Sequence, residues 1–124
     1  MTEATGNDTT VTASGVVVGA DGSDHGKVAI RWAAGAAGAY GLPLTVLFAR
    51  PDATAVPELV SEPTGVLGDA VAEAQNGNEG LEVRALQMPE SPVESLLVAS
   101  ETADFLVLGS RGIGGFRGLL LGST

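Results

Sequence analysis

The most informative segment of the chain is FLVLGSRGIGGFRGLLLGST, residues 105–124. It opens with four apolar residues, from Phe105 to Leu108, and a short apolar run of this kind is typical of a fully buried strand. Six glycines then fall between Gly109 and Thr124. Glycine lets backbone N–H groups approach a ligand closely, and consecutive N–H groups form a nest that binds phosphate oxygens. The segment therefore predicts a buried strand that ends in an anion-binding loop.

Two common phosphate motifs do not explain these glycines. Walker A requires a lysine after its second glycine, and the chain has no lysine beyond Lys27. A dinucleotide motif, Gly-x-Gly-x-x-Gly, that starts at Gly112 meets Arg117 where its third glycine belongs. That motif should also follow the first strand of the sheet, whereas this segment follows the last predicted strand.

Upstream of this segment, strand and helix patterns alternate along the chain. Apolar runs predict strands at 15–20 and 44–49, and an alternating run at 81–86 predicts an exposed edge strand. Helices are predicted from the N-cap Ser23 to about Tyr40, at about 66–75, and from the capping box of Ser91 and Glu94 to about residue 102. Strands joined by helices are parallel, with helices on both faces of the sheet. The pattern therefore predicts a doubly wound parallel sheet in a three-layer α/β/α fold of Rossmann-like type.

The spacing of apolar residues on two of these helices predicts which faces meet the core. On the first helix, the predicted inner stripe includes both large aromatic side chains. On the third helix, it combines aliphatic side chains with one serine. The predicted inner residues are Ala29, Trp32, Ala33, Ala36, Ala37 and Tyr40 on the first helix, and Val93, Leu96, Leu97 and Ser100 on the third.

Length and composition limit the remaining options. A chain of 124 residues is long enough for one domain, which we place at residues 15–124, after a polar, aperiodic stretch at 1–14 that predicts a disordered tail. The absence of cysteine excludes disulfides and thiolate metal sites, and a single histidine, His25, excludes a multi-histidine metal site. No apolar run approaches the roughly 18 residues of a transmembrane helix, and no secretory signal is visible. We therefore expect a cytoplasmic protein.

The distribution of charge points to a small anionic ligand. The formal net charge of −9 argues against nucleic acid and against anionic membrane surfaces as partners. Every acidic residue lies at or before Asp104, whereas residues 109–124 carry Arg111, Arg117 and no acid. This local positive charge on an acidic chain supports an anion-binding role for the glycine-rich segment.

The position of such a site follows from the predicted sheet. Ligands of open α/β sheets bind at the carboxyl ends of the strands, where the strand order changes direction. Two predicted strand ends carry unusual residues, namely Gly19-Ala20-Asp21 and the segment that begins at Gly109. If the first and last predicted strands are neighbours, these two strand ends line one crevice.

The spacing of the glycines resembles a known signature. Gly109, Gly112 and the pair Gly122-Ser123 match the Gly-2x-Gly-9x-Gly-Ser/Thr pattern of ATP-binding universal stress proteins. The stretch from Val17 to Ser23 is similar to the first strand and acidic turn of that family, and the resemblance covers residues 15–124. It implies a Rossmann-like fold of the adenine nucleotide alpha hydrolase type that binds ATP.

The resemblance also implies roles for individual residues. Asp21 would lie near the ribose and phosphates and would contact a Mg²⁺ ion where ATP brings one. For Phe48, core packing is as good an interpretation as a place beside the adenine. The residues that would wrap the phosphates and ribose are Gly109, Ser110, Arg111, Gly112, Ile113, Gly114 and Gly115; those that would close the phosphate site are Gly122, Ser123 and the adjoining Thr124; and those beside the adenine would be Gly19, Ala20, Phe48 and Ala49.

No catalytic constellation accompanies these residues. Spacing in the sequence identifies no serine or cysteine nucleophile for His25 to activate, and no pair of catalytic carboxylates emerges, so we expect binding with at most very slow ATP hydrolysis. By the resemblance, the chain is a stress-response or signalling module that acts through nucleotide-dependent self-association, as a homodimer or larger homo-oligomer. The alternative is a protein-interaction or dimerisation module of the same fold with an empty nucleotide site. An enzyme acting on a nucleotide is a third option, and it lacks candidate catalytic residues.

The chain departs from the family pattern at its end. Members usually continue beyond the Gly-Ser pair with a helix and a fifth strand, whereas this sequence stops at Thr124. Without that last helix and strand, the run from Phe105 to Leu108 is predicted to be an exposed, apolar sheet edge.

Overall fold

The computed structural model describes residues 13–109 and the backbone of residues 120–122. Within these residues the chain forms six strands and three helices. In chain order they are β1 (Val16–Gly19), α1 (Asp24–Tyr40), β2 (Leu44–Ala49), β3 (Glu58–Leu59), α2 (Gly65–Gln75), β4 (Val83–Met88), α3 (Pro92–Ser100), β5 (Phe105–Val107) and β6 (Leu120–Gly122).

The six strands form one sheet in the order β3-β4-β2-β1-β5-β6. The four central strands are parallel, because β1 pairs with both β2 and β5, and β2 pairs with β4. The two edge strands run antiparallel to their neighbours. The predicted α/β class is confirmed, with the refinement that two short antiparallel strands make the sheet mixed.

Alternate residues of the central strands pack into two separate cores. On one face, Val16, Val18 and Val46 pack against α1 and α2. On the other face, Val17 and Leu47 pack against α3. Because successive side chains of a strand point to opposite faces, strands this apolar must be covered on both sides. The three-layer arrangement follows.

The predicted helix ends are confirmed where the sequence carries a cap. The Ser23 side chain accepts a hydrogen bond from the N–H of Gly26 at the start of α1, and Gly41 ends that helix with a φ of 68°. At the start of α3, the Ser91 hydroxyl accepts from the N–H of Glu94 at 3.3 Å. These caps satisfy backbone groups that a helix end leaves unpaired.

The predicted inner stripe of α1 is wrong for its two aromatic residues. Trp32 is 53% exposed and Tyr40 is 62% exposed, and the Tyr40 ring lies against Phe105 at a centroid distance of 4.9 Å. Alanines occur on several sides of this helix, so their spacing did not define one face. The buried residues of α1 are Gly26, Ala29, Ile30, Ala33, Ala34 and Ala37.

The predicted inner stripe of α3 is partly wrong in the same way. Leu96 is buried as predicted, whereas Val93 is 47% exposed and Leu97 is 63% exposed. Ser95 and Ala99 are buried in their place. The Ser95 hydroxyl can be buried because it donates to the carbonyl of Glu90 at 3.1 Å.

Both predictions of a sheet edge are corrected by the structure. The alternating run at 81–86 contributes to β4, which lies between β2 and β3 and is therefore internal. The run from Phe105 to Leu108 is internal too, because β6 pairs with β5 on its outer side. β3 pairs with the outer side of β4, and β6 pairs with the outer side of β5. These two short strands cover edges that would otherwise present unpaired backbone groups.

The chain before β1 contacts the domain earlier than the sequence indicates. Ala13, which the sequence assigns to the tail, is buried. The carbonyl of Ser14, also assigned to the tail, accepts a hydrogen bond from the Thr45 hydroxyl at 3.0 Å. Residues 1–12 lie outside the described residues, so the packed domain includes at least Ala13 and Ser14. In the described part of the chain, no helix is long and apolar enough to cross a membrane.

Candidate functional site

The sheet changes direction between β1 and β5. From β1 the chain moves outward through α1 to β2 and through α2 to β4, and it then crosses through α3 to β5 on the other side of β1. The first and last predicted strands are therefore neighbours, in register from Val16 opposite Phe105 to Val18 opposite Val107. Their carboxyl ends open at the switch point, where ligands of such sheets bind.

A crevice of about 250 Å³ lies at this point. It brings together six of the residues that the sequence singles out, from three different strand ends. Helix α3 and the first turn of α1 complete its walls. Its lining comprises Gly19, Ala20, Asp21, Gly26, Leu47, Phe48, Ala49, Pro92, Leu96, Val107, Leu108 and Gly109.

The apolar wall of the crevice depends on the small size of Gly19. A Cβ placed on Gly19 would lie 3.8 Å from Cδ2 of Leu96, which is ordinary van der Waals contact. The space in front of β1 is thus bounded by α3, and any side chain longer than a methyl group at position 19 would extend into it. The helix begins beside this space because Ser91 caps it with Pro92 in the first turn.

The carboxylate of Asp21 is held in place by local hydrogen bonds. Its Oδ1 atom accepts from the backbone N–H of Ser23 at 2.9 Å and from the Ser23 hydroxyl at 2.6 Å. Between them lies Gly22, whose φ of 82° is one that side chains rarely tolerate. Within the described part of the chain, both of these bonds fall on Oδ1, which leaves the lone pairs of Oδ2 for a ligand or water.

Gly109 closes the crevice from the side of β5. A Cβ at this position would lie 3.4 Å from the carbonyl oxygen of His25 and 3.6 Å from Cβ of Ala29. These are ordinary van der Waals distances, so the end of β5 lies directly against the first turns of α1.

Phe48 and Ala49 line the crevice at the end of β2. Phe48 also packs against the core formed with α1 and α2, so it contributes to core packing as well as to the lining of the crevice. The guanidinium carbon of Arg50 lies 5.8 Å from the centre of the Phe48 ring. This cation–π contact sits beside the crevice on its β2 side.

The structure does not bring Gly122 to the crevice. Gly122 pairs with Phe105 at the amino end of β5, four residues from Gly109 and so roughly 13 Å away along the strand. The leucines before Gly122 belong to β6, which pairs antiparallel with β5 and therefore places Gly122 at the amino end of β5. The other predicted residues of the phosphate loop, Ser110 to Gly115, and the pair Ser123 and Thr124 lie outside the described residues.

Sequence reasoning missed half of the lining residues. Leu47, Val107 and Leu108 belong to predicted strands, and their place at the crevice follows once the strand order is known. Pro92 and Leu96 could have been placed from the crossover of α3 to the far side of β1. Gly26 gave a weak signal, as a glycine inside a predicted helix.

Among the described residues that line the crevice, Asp21 is the one that carries a carboxylate. Among residues 13–109, no group of three or more histidines, cysteines or acids is arranged to hold a metal ion. Asp21 therefore fits a metal ion only when a bound molecule supplies the other ligands of that ion.

Comparison with known proteins agrees with this geometry. The sequence pattern of the universal stress protein family matches residues 14–124. The chain belongs to the universal stress protein family. The match covers every described element of the fold, from β1 to β6.

Individual relatives support the assignment. A universal stress protein of Mycolicibacterium smegmatis is 32% identical over 129 residues, covering 89% of this chain and 42% of the relative. A crystal structure of a universal stress protein in complex with cAMP has a TM-score of 0.57 and 27% identity, covering 84% of this chain and 78% of the other. The Mycobacterium tuberculosis protein Rv1636 has a TM-score of 0.55 and 33% identity, covering 89% and 81% of the two chains. This universal stress protein chain spans about two fifths of the length of the curated M. smegmatis relative.

Proposed function

We propose that this universal stress protein chain binds an adenine nucleotide in the crevice at the ends of β1, β2 and β5. One observation carries the proposal: Asp21 and Gly109 lie on neighbouring strand ends and line the same crevice. A carboxylate and a strand end free of side chains are thereby placed together at the switch point of an α/β sheet, the usual ligand site of such folds.

The size and lining of the crevice suit the base and its adjoining sugar. Its volume of about 250 Å³ is below the roughly 300–1,000 Å³ of pockets that bury most of a drug-sized ligand. Aliphatic side chains such as Leu47 and Leu96 supply apolar walls for the faces of a flat ring. Backbone groups at the strand ends would face the polar edge of that ring. The described residues would therefore enclose part of a nucleotide, and the phosphates would extend toward the segment after Gly109.

The phosphates belong, in this proposal, to residues Gly109 to Gly115, whose glycine spacing favours a nest of backbone N–H groups. Asp21 would face the ribose and phosphates with Oδ2. Mg²⁺ usually takes one or two protein carboxylates together with substrate phosphates, and the single carboxylate of Asp21 fits that pattern when ATP is bound. The ion would supply charge neutralisation to the phosphates.

The nucleotide proposed is ATP, on the strength of the glycine signature. The related crystal structure in complex with cAMP supports an adenine nucleotide more generally. Mass spectrometry of ligands released from the natively purified protein tests this directly. We expect an adenine nucleotide in the released fraction, and isothermal titration of the stripped protein should show binding of ATP. A protein that carries no nucleotide and binds neither ATP nor cAMP would refute the proposal.

Binding without efficient turnover is the activity we propose. No described residue pair forms a nucleophile and its base around Asp21, and positioning of the attacking group is central to phosphoryl transfer. A phosphate-release assay with Mg-ATP should therefore show at most very slow hydrolysis. Release at an ordinary enzymatic rate, on the order of 1–100 s⁻¹, would overturn this part of the proposal.

We propose further that nucleotide occupancy regulates self-association in a stress response or in signalling. Sedimentation with and without ATP tests the first part, and an unchanged assembly state would count against it.

A second candidate function is a protein-interaction module whose nucleotide site stays empty. The position of Gly122 favours it, because that residue of the signature lies at the opposite end of β5 from Gly109. The substitution Gly112→Val distinguishes the two candidates. Only a nucleotide binder should lose ATP affinity while its melting temperature in the absence of ligand stays unchanged.

A further inference from the structure

Gly26 lies inside α1 although no backbone requirement places a glycine there. It has no positive φ, unlike Gly22 four residues earlier. Glycine is a poor helix former, and alanine would be favoured at such a position on propensity alone. Another contact must therefore explain why a side chain is absent at position 26.

That contact is with the side chain of Asp21. A Cβ built on Gly26 would overlap Oδ1 of Asp21 and would lie 3.4 Å from its Cγ. The second nearest atom is Oγ of Ser23, at 3.2 Å. All three atoms belong to side chains of the turn before the helix. The space that Gly26 leaves is thus occupied by the carboxylate of Asp21 and by the hydroxyl that binds it.

Ser23 links the two residues. Its hydroxyl donates to Oδ1 of Asp21 at 2.6 Å and accepts from the N–H of Gly26 at 2.9 Å. One oxygen of the carboxylate is therefore held against the first turn of α1, and this contact determines the direction of the second oxygen. Both Asp21 and Gly26 line the crevice.

We propose that Gly26 is a positioning residue for nucleotide binding, which acts by leaving room for the Asp21 carboxylate against the start of α1. The inference rests on the proposed function and deepens it, because it names what orients the ligand-facing carboxylate. A methyl group at position 26 displaces a flexible side chain and no backbone. The fold should therefore tolerate it, and the site should not.

The substitution Gly26→Ala tests the inference, with Gly35→Ala as its matched control. Gly35 lies on the exposed side of the same helix, and a Cβ there would have no neighbour within 4 Å. We expect both variants to keep or exceed the wild-type melting temperature. In isothermal titration with Mg-ATP, Gly26→Ala should raise Kd by about tenfold or more, as expected when a hydrogen bond to a charged group is lost. Gly35→Ala should leave Kd unchanged.

A double-mutant cycle with Asp21→Asn separates positioning from a general structural effect. If Gly26 acts through Asp21, the combined variant should bind ATP no more weakly than Asp21→Asn alone. Additive losses, or a Gly26→Ala protein with wild-type affinity, would overturn the inference while the proposed function stands. A clear fall in melting temperature for Gly26→Ala would overturn it as well, because it would show a structural role. Wild-type protein that fails to bind any adenine nucleotide would refute the proposed function itself.

Discussion

The substitution Gly19→Leu should prevent nucleotide binding in the proposed site without unfolding the protein. A Cβ at position 19 meets Cδ2 of Leu96 at 3.8 Å, so the first added atom makes an ordinary contact. The remaining atoms of the leucine have no room except the crevice of about 250 Å³ in front of β1. The new side chain would therefore occupy the volume assigned to the base.

The size of the effect can be estimated from ligand linkage. ATP at 100 times its Kd stabilises a binder by about 2.7 kcal/mol, whereas a variant weakened 100-fold gains only about 0.4 kcal/mol at the same concentration. With an unfolding entropy of about 2.1 cal/mol/K per residue over 124 residues, these energies correspond to melting-temperature shifts of roughly 10 °C and 2 °C.

Differential scanning fluorimetry with Mg-ATP measures both shifts, and Gly35→Leu serves as the control. Gly35 is exposed on α1, far from the strand ends, so its variant should keep the full shift. A Gly19→Leu protein that melts near the wild-type temperature without ligand and still gains the full ATP shift would refute the placement of the base in this crevice.

The structure makes further predictions about stability. Gly15→Ala should cost about 3 kcal/mol or more, because φ at Gly15 is 73° and a Cβ there would lie 2.9 Å from Cγ of Pro43; chemical denaturation measures the loss, and a cost below about 1 kcal/mol would contradict it. Leu67→Ala should lower the free energy of unfolding by about 2–5 kcal/mol, since Leu67 lies on the buried face of α2 and is 2% exposed. An unchanged midpoint in urea would show that α2 does not pack on the sheet. Ser91→Ala should cost about 1 kcal/mol by removing the cap on Glu94, whereas Ser91→Asp should keep the stability in the same assay.

Much of the fold could be predicted because its signals are local. Capping residues such as Ser23 and Ser91 mark helix starts through hydrogen bonds within the same turn, and the structure confirms both. The buried strands could be predicted because parallel strands covered on both faces need continuous apolar runs. The sequence left the pairing of β1 with β5 as a condition, and the structure meets it because the two strands are neighbours.

Other features could not be predicted because they depend on tertiary contacts. The buried face of α1 was ambiguous because alanines fit several faces, and the predicted burial of Trp32 was therefore wrong. The edges of the sheet are completed by β3 and β6, which have only two and three residues and carry no pattern of their own. The position of Gly122 followed from the pairing of β6 with β5, against the position that the glycine signature implied.

The candidate site also combines features that the sequence predicts with features that it does not. Asp21 and Gly109 could be identified as strand-end residues of unusual type. The position of the Asp21 carboxylate could not be predicted, because its contact with Gly26 forms only when the turn folds back on the helix. Leu96 reaches the site through the crossover of α3 to the far side of β1, so its place follows only once the strand order is known.

Backbone amide shifts measured by NMR during a titration with Mg-ATP test the central claim most directly. The account predicts that the amides of Gly19, Ala20, Asp21 and Gly109 shift together and saturate with one Kd. The amides of residues 77–80, at the opposite edge of the sheet, should stay in place. Shifts confined to that opposite edge, or no shifts at any concentration of ATP, would contradict the account.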